Sequence, residues 1–200
     1  MASNGVFCLE GEWSPDLRTR ESVLPILELL ERLGQIKFIH RNVGAEAEVR
    51  RHLKKWSQSR YGDYQVLFIA SHGDKGQLTW SSDRGAESRS SLDELAGLLD
   101  GAAAGCYIYF GSCLTLFDRP EIERFVAQTG AAAVLGYRKE VDWIEAAAFE
   151  VLLISWIANH NGRPKTLFDG LMKRHGELAK LLKFAMGTSR GVYRAQDRSA

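Results

Sequence analysis

The stretch that decides the fold is YQVLFIASHG, residues 64–73. Val66 to Ala70 is apolar at every position, without the alternation of a half-exposed strand. Such a run belongs in the middle of a parallel sheet covered on both faces. It stops at Ser71-His72-Gly73, so a titratable side chain stands just past the carboxyl end of a central strand. In open α/β sheets, sites form at that edge.

Strand and helix patterns alternate outward from this run. Upstream, residues 5–9 read as a short first strand. ESVLPILELLERLG, residues 21–34, is helical, with Pro25 in its first turn and Gly34 as a stop. IKFIHRN (36–42) is a second strand, and AEAEVRRHLKKWSQS (45–59) an amphipathic helix with Val49, Leu53 and Trp56 on one face. Downstream, residues 76–88 read as a small hairpin, and SSLDELAGLLDG (90–101) as a helix with Ser91 and Glu94 in a capping box. CYIYFGS (106–112) is the next central strand. A helix follows over 119–130, with Pro120 near its start and Gly130 after its end. AAAVLGY (131–137) is a strand, 142–160 a long helix apolar nearly all round, 165–182 a further helix, and KFAMGTS (183–189) a sixth, edge strand. This order implies one domain over residues 1–200, with the tail from about residue 188 read as flexible. The expected fold is α/β: a doubly wound, mostly parallel sheet of about six strands with helices on both faces.

The composition excludes several classes. The net charge is +1 and the Lys and Arg residues are scattered, so nothing points to nucleic acid or an anionic membrane as a partner. Residues 1–13 lack the basic and long apolar segments of a leader. In the most apolar helix the uncharged run, 151–159, is far short of the roughly 20 residues that span a bilayer. Cys8, Cys106 and Cys113 are odd in number and lack metal-ligand spacing. They imply no metal site and a reducing, cytoplasmic compartment. Cys8 and Cys106 lie in apolar runs and read as small buried hydrophobes.

Cys113 differs from them, because it stands just beyond the strand YIYF (107–110), after Gly111 and Ser112. If the two central strands are parallel neighbours, His72 and Cys113 emerge at the same edge of the sheet. A histidine there can act as general acid and base, and a thiol as nucleophile. Gly73 lets the backbone N–H after His72 turn toward the cleft, where it and the N–H of Cys113 could hold an oxyanion. Gly111 leaves room for a substrate beside the thiol. His40, His52, His160 and His175 lack such a setting and read as surface or structural residues.

VLFIASHG, followed 41 positions after its histidine by YIYFGSC, resembles the caspase-like cysteine peptidases, which include caspases, metacaspases, separase, legumain and the bacterial CHAT-type peptidases. AAAVLGYRKEVDWIEAAAFEVLLISWI (131–157) is similar to the CHAT branch, where a strand ending in Gly precedes a short loop, an Asp and a long apolar helix. The likeness spans roughly residues 6–157. It implies Cys113 as nucleophile, His72 as general acid/base, and the N–H groups of Gly73 and Cys113 as oxyanion donors. It further implies a protein substrate, no metal and no organic cofactor. Activation by a separate protein in a bacterial stress or antiviral defence pathway would also follow.

Two departures bear on specificity. Several members of the group carry an acidic or amide residue two positions before the cysteine, where this chain has Gly111, and the caspase signature around the cysteine is absent. The pocket must then come from loops. Asp142 could favour a basic substrate side chain, Arg138 an acidic one, and Trp80 and Trp143 could form apolar walls. Asp142 to Glu145 also reads as a capping box. Two alternatives stand beside the peptidase. Cys113 and Arg119 satisfy a Cys-x5-Arg phosphatase count, although Leu114, Leu116 and Phe117 are bulky for a phosphate cradle and Asp118 would repel the anion. A catalytically silent caspase-like scaffold is the other, but such proteins usually lose the His or the Cys, and this chain keeps both.

Overall fold

The computed structural model describes residues 4–82, 88–160 and 162–195. Its main sheet has seven strands: β1 (Val6–Glu10), β2 (Phe38–Asn42), β3 (Val66–Ala70), β7 (Tyr107–Phe110), β8 (Ala133–Tyr137), β9 (Phe184–Thr188) and β10 (Gly191–Arg194). The order across the sheet is β10-β9-β8-β7-β3-β1-β2, with β2 to β8 parallel and β9 and β10 antiparallel to their neighbours. Three short strands, β4 (His72–Asp74), β5 (Gln77–Thr79) and β6 (Arg89–Ser91), make a small antiparallel sheet beyond the end of β3. The expected hairpin is therefore part of this sheet; residues 83–87 of it lie outside the described residues.

The side-chain alternation explains why the central strands are apolar throughout. Val66, Phe68 and Ala70 of β3 join Tyr107 and Tyr109 of β7 in one core, under α1 (Leu24–Arg32), α5 (Trp143–Ala158) and α6 (Pro164–Leu181). Leu67 and Ile69 join Ile108 and Phe110 in the other, under α2 (Glu46–Trp56), α3 (Leu92–Leu99) and α4 (Arg119–Thr129). Each face of the sheet thus has its own layer of helices. Caps follow the sequence: Ser91 and Glu94 form the capping box of α3, and Gly130 ends α4 in the left-handed region.

Three expectations need correcting. Phe184–Thr188 is not an edge strand; it is fully buried between β8 and β10. The edge is β10, inside the tail expected to be loose; its residues 191–194 are half-buried, and residues 196–200 lie outside the described residues. Short edge strands carry a weak sequence signal because one long side of the ladder faces solvent. Cys106 is only half-buried, whereas Cys8 is fully buried. Among the described residues, no helix is long and apolar enough to cross a membrane.

Candidate active site

The parallel pairing of β3 with β7 sets the site. Val66 faces Tyr107 and Ile69 faces Phe110, an offset of 41 positions at every rung. His72 and Cys113 are separated by the same 41 positions, so the two strands release them at the same level of the sheet edge. Both line one cavity of about 210 Å³. The imidazole and thiol share this cavity without a hydrogen bond between them.

The Cys113 loop is fixed from three sides. Leu114 takes a left-handed backbone (φ 54°), which turns the chain sharply after the cysteine. The Leu114 and Leu116 N–H groups donate to Lys139 and Tyr137 carbonyls of the β8 end, at 3.2 and 3.0 Å. The Thr115 hydroxyl lies 3.2 and 3.3 Å from the Ser112 and Cys113 carbonyls. The Val141 N–H donates to the Cys113 sulfur at 3.5 Å. The backbone N–H of Cys113 has no acceptor among the described residues, which leaves it available to an oxyanion. Gly73 packs directly on this loop: a Cβ there would collide with the Cys113 carbonyl oxygen, so only glycine allows β4 to approach.

His72 is oriented by a segment that its own motif does not reveal. Its Nε2 lies 2.8 Å from the Trp13 carbonyl. A carbonyl only accepts, so Nε2 carries the proton and a neutral imidazole keeps Nδ1 as its basic nitrogen. The Trp13 ring packs edge-on against His72 and against Trp143, with centroids 5.2 and 4.6 Å apart. Trp13 is in turn anchored by Glu10 at the end of β1. The Glu10 carboxylate accepts from Trp13 Nε1 (2.7 Å), the Val23 N–H (2.7 Å) and the Ser22 hydroxyl (2.8 Å), and pairs with His40 Nε2 (2.6 Å). Burial pushes this carboxyl up, but the bonds from His40, Trp13, Val23 and Ser22 outweigh it and hold it below the ordinary range.

The other expected pocket residues separate. Trp143 lines the cavity. Trp80 does not; it is fully buried, with its indole N–H donating to the Ser90 hydroxyl at 2.8 Å. Asp142 is the N-cap of α5 and accepts from the Ile144 and Glu145 N–H groups at 2.9 and 3.0 Å. Arg138 lies toward β9 and β10, its N–H on the Lys183 carbonyl; burial and the nearby Arg194 lower its pKa. The phosphatase geometry is absent as well. Asp118 caps α4, Arg119 pairs with Glu123 at 2.8 Å, and the loop N–H groups of Leu114 and Leu116 are already taken.

In their place the cavity contains Glu150. Trp143, Ala146, Ala147 and Glu150 are spaced i, i+3, i+4 and i+7 and present one face of α5 to it. Glu150 is 4% exposed. It was visible in the sequence only as a charge interrupting an apolar helix. The Tyr109 hydroxyl donates to its Oε1 at 2.9 Å, and Tyr137 continues the chain at 2.7 Å. Burial raises this carboxyl to about 8, against the opposing effect of the Tyr109 bond, with Glu10 adding to the rise.

Comparison with known proteins agrees with this architecture. A secreted C11 cysteine protease from Bacteroides thetaiotaomicron, solved with an irreversible peptide inhibitor, superposes with a TM-score of 0.63 at 13% identity, over 95% of this chain and 67% of that one. Caspase-1 from Spodoptera frugiperda superposes at 0.53 and 11% identity, over 90% and 79%. At these identities the likeness is one of fold: a caspase-like α/β sheet. No curated protein matches the chain. By sequence, residues 3–187 match the model described as "Family of unknown function (DUF6642)", and the chain belongs to that family.

Proposed function

We propose that this member of the DUF6642 family is a cysteine endopeptidase that cleaves a protein substrate through His72 and Cys113. The observation that carries the reading is the shared 41-residue register, which delivers a carbonyl-oriented imidazole and a loop-held thiol to one cavity. His72 Nδ1 takes the proton of the Cys113 thiol as the sulfur attacks the peptide carbonyl carbon, and the carbonyl π pair moves to oxygen. The N–H of Cys113, with that of Gly73, holds this oxyanion. His72 gives a proton to the leaving amine as the C–N bond breaks, and water then releases the thioester as acid and restores the thiol. The caspase-like fold of the structural neighbours supports this chemistry. The β8–loop–Asp142–α5 arrangement supports kinship with the CHAT branch. Activation by a separate protein, a role in defence and a cytoplasmic setting belong to the same proposal; the three free cysteines are consistent with a reducing compartment.

The test is intact-mass labelling with peptide acyloxymethyl ketones, with iodoacetamide as a control for mere thiol access. Cys113 should take up the ketone, Cys113→Ala should not, and His72→Ala should slow uptake by roughly 10²-fold or more. Ketone labelling indifferent to His72→Ala would sink the dyad. A thiol open to iodoacetamide but inert to every ketone would favour the scaffold.

A further inference from the structure

We infer that the cavity beside Cys113 is a specificity pocket for a basic side chain, arginine or lysine, with Glu150 as the carboxylate that receives its cation. This rests on the peptidase reading, and it assigns specificity to a residue from another element than the one where the sequence invites a search.

The position two before the cysteine is Gly111, which has no side chain to offer. A Cβ at Gly111 would lie 2.8 Å from Glu150 Oε1. The carboxyl of α5 therefore occupies the space that a side chain at 111 would enter. The glycine and the glutamate fit one another.

The walls match a long amphipathic side chain. Val23, Ile26, Trp143, Ala146 and Ala147 supply apolar surface above the carboxyl, and the volume of about 210 Å³ suits one side chain. Lysine and arginine bury their methylene stems against apolar surface and need a polar partner only at the tip. Tyr109 satisfies Oε1, while Oε2 has no donor among the described residues. A guanidinium or ammonium would supply that donor, and its charge would draw off the proton that burial otherwise keeps on Glu150 at neutral pH.

The alternatives fit less well. His72 is the one basic residue among those lining the cavity, so an acidic side chain would meet Glu150 and Glu21 with no cation to receive it. An apolar side chain would cover Oε2 and leave it unpaired. Glu21 also lines the adjoining open groove of about 600 Å³, where it stands with Glu10, Glu12, Asp16 and Glu48. A basic substrate would approach over an acidic surface although the chain's net charge is +1. The titratable groups that interact with Glu150 are Tyr109 of β7, Tyr137 of β8, and Cys8 and Glu10 of β1, none of them a cation that would compete for it.

The experiment compares acyloxymethyl ketones ending in arginine, lysine, citrulline, leucine or aspartate on wild type and Glu150→Gln. Citrulline keeps the shape of arginine without its charge, and glutamine keeps the shape of Glu150. Fluorescence of bound 4-aminobenzamidine is measured on the same two proteins, because it reads the pocket without any reaction at Cys113. The arginine probe should label wild type roughly 10²-fold faster than citrulline, and Glu150→Gln should bring that ratio close to one and abolish aminobenzamidine binding. Leucine, citrulline or aspartate probes equal to arginine on wild type would overturn the pocket and leave the peptidase standing. So would an arginine-to-citrulline ratio that survives Glu150→Gln. Aminobenzamidine bound by wild type and not by Glu150→Gln, with Cys113 inert to every ketone, would keep the pocket and remove the peptidase.

Discussion

Two buried glutamates lie near the carboxyl edge of the parallel strands and behave oppositely. Glu10 and Glu150 are 2% and 4% exposed. Glu10 is surrounded by four donors and held below the ordinary carboxyl range; Glu150 receives one neutral hydroxyl and is raised to about 8. Burial acts against the charge of both, so the number of donors decides between them. Three of the donors around Glu10, Trp13, Ser22 and Val23, also explain what it does: they belong to the chain segment that carries Trp13 to His72. Its bonding is complete, and its work is structural. Glu150 has an oxygen left over and a cavity in front of it. A buried carboxyl with bonding capacity unused is a place for a ligand.

The comparison breaks most readily at Glu10. Glu10→Ala strands the Trp13 indole, the Val23 N–H and His40 together, and should cost roughly 3–5 kcal/mol, the range for breaking a buried charged network. Glu150→Gln keeps an acceptor for Tyr109 and should leave stability equal or higher at neutral pH. Urea unfolding of the two variants beside wild type measures both. Equal losses would mean that Glu150 is as structurally committed as Glu10, which would undo the contrast.

Stability against pH sharpens it. Below its unfolded value near 4.5, Glu150 is protonated in both states and contributes no pH dependence. Between there and about 8 the unfolded chain has released this proton while the folded chain keeps it. Stability therefore falls as pH rises, by at most about 1.4 kcal/mol per pH unit, and levels off above 8. Glu10 runs the other way: its folded value is depressed, so its contribution is full above the unfolded value and is lost as pH falls through the folded one. Subtracting the Glu150→Gln curve from wild type between pH 5 and 8 isolates the first effect. A flat difference would show that Glu150 ionises normally in the folded protein.

The same contrast explains what the sequence made legible. His72 and Cys113 could be read because each follows a continuous apolar run, and such runs mark central strands without knowledge of their neighbours. Their placement at one sheet edge was conditional on parallel pairing, and β3 and β7 pair in parallel with a 41-position register. Trp13 and Glu10 were not found, because their roles depend on a loop folding back across β1, and no local period encodes that contact. Glu150 left one trace, a charge in an apolar helix, but it reads as an interruption until α5 is placed against β7. Trp80 was misplaced for the reverse reason. A tryptophan near a site motif looks like a wall, while its indole N–H had an interior partner in Ser90. The β10 edge, GVYR, was too short and too polar to separate from a tail.

The smallest expected effect tests whether specificity really left the loop after β8. Asp142 has the charge and place to attract a basic side chain, yet it accepts two first-turn N–H groups of α5, those of Ile144 and Glu145, and is absent from the cavity lining. Asp142→Ala should then behave as the loss of a cap, costing about 1 kcal/mol of stability. It should leave the ranking of arginine, citrulline and aspartate probes at Cys113 as in wild type. Asp142→Asn, which caps about as well, should recover most of the lost stability. A change in probe ranking with either substitution, at unchanged stability, would return the specificity to the loop. It would then leave Glu150 as a buried carboxyl whose partner is Tyr109 alone.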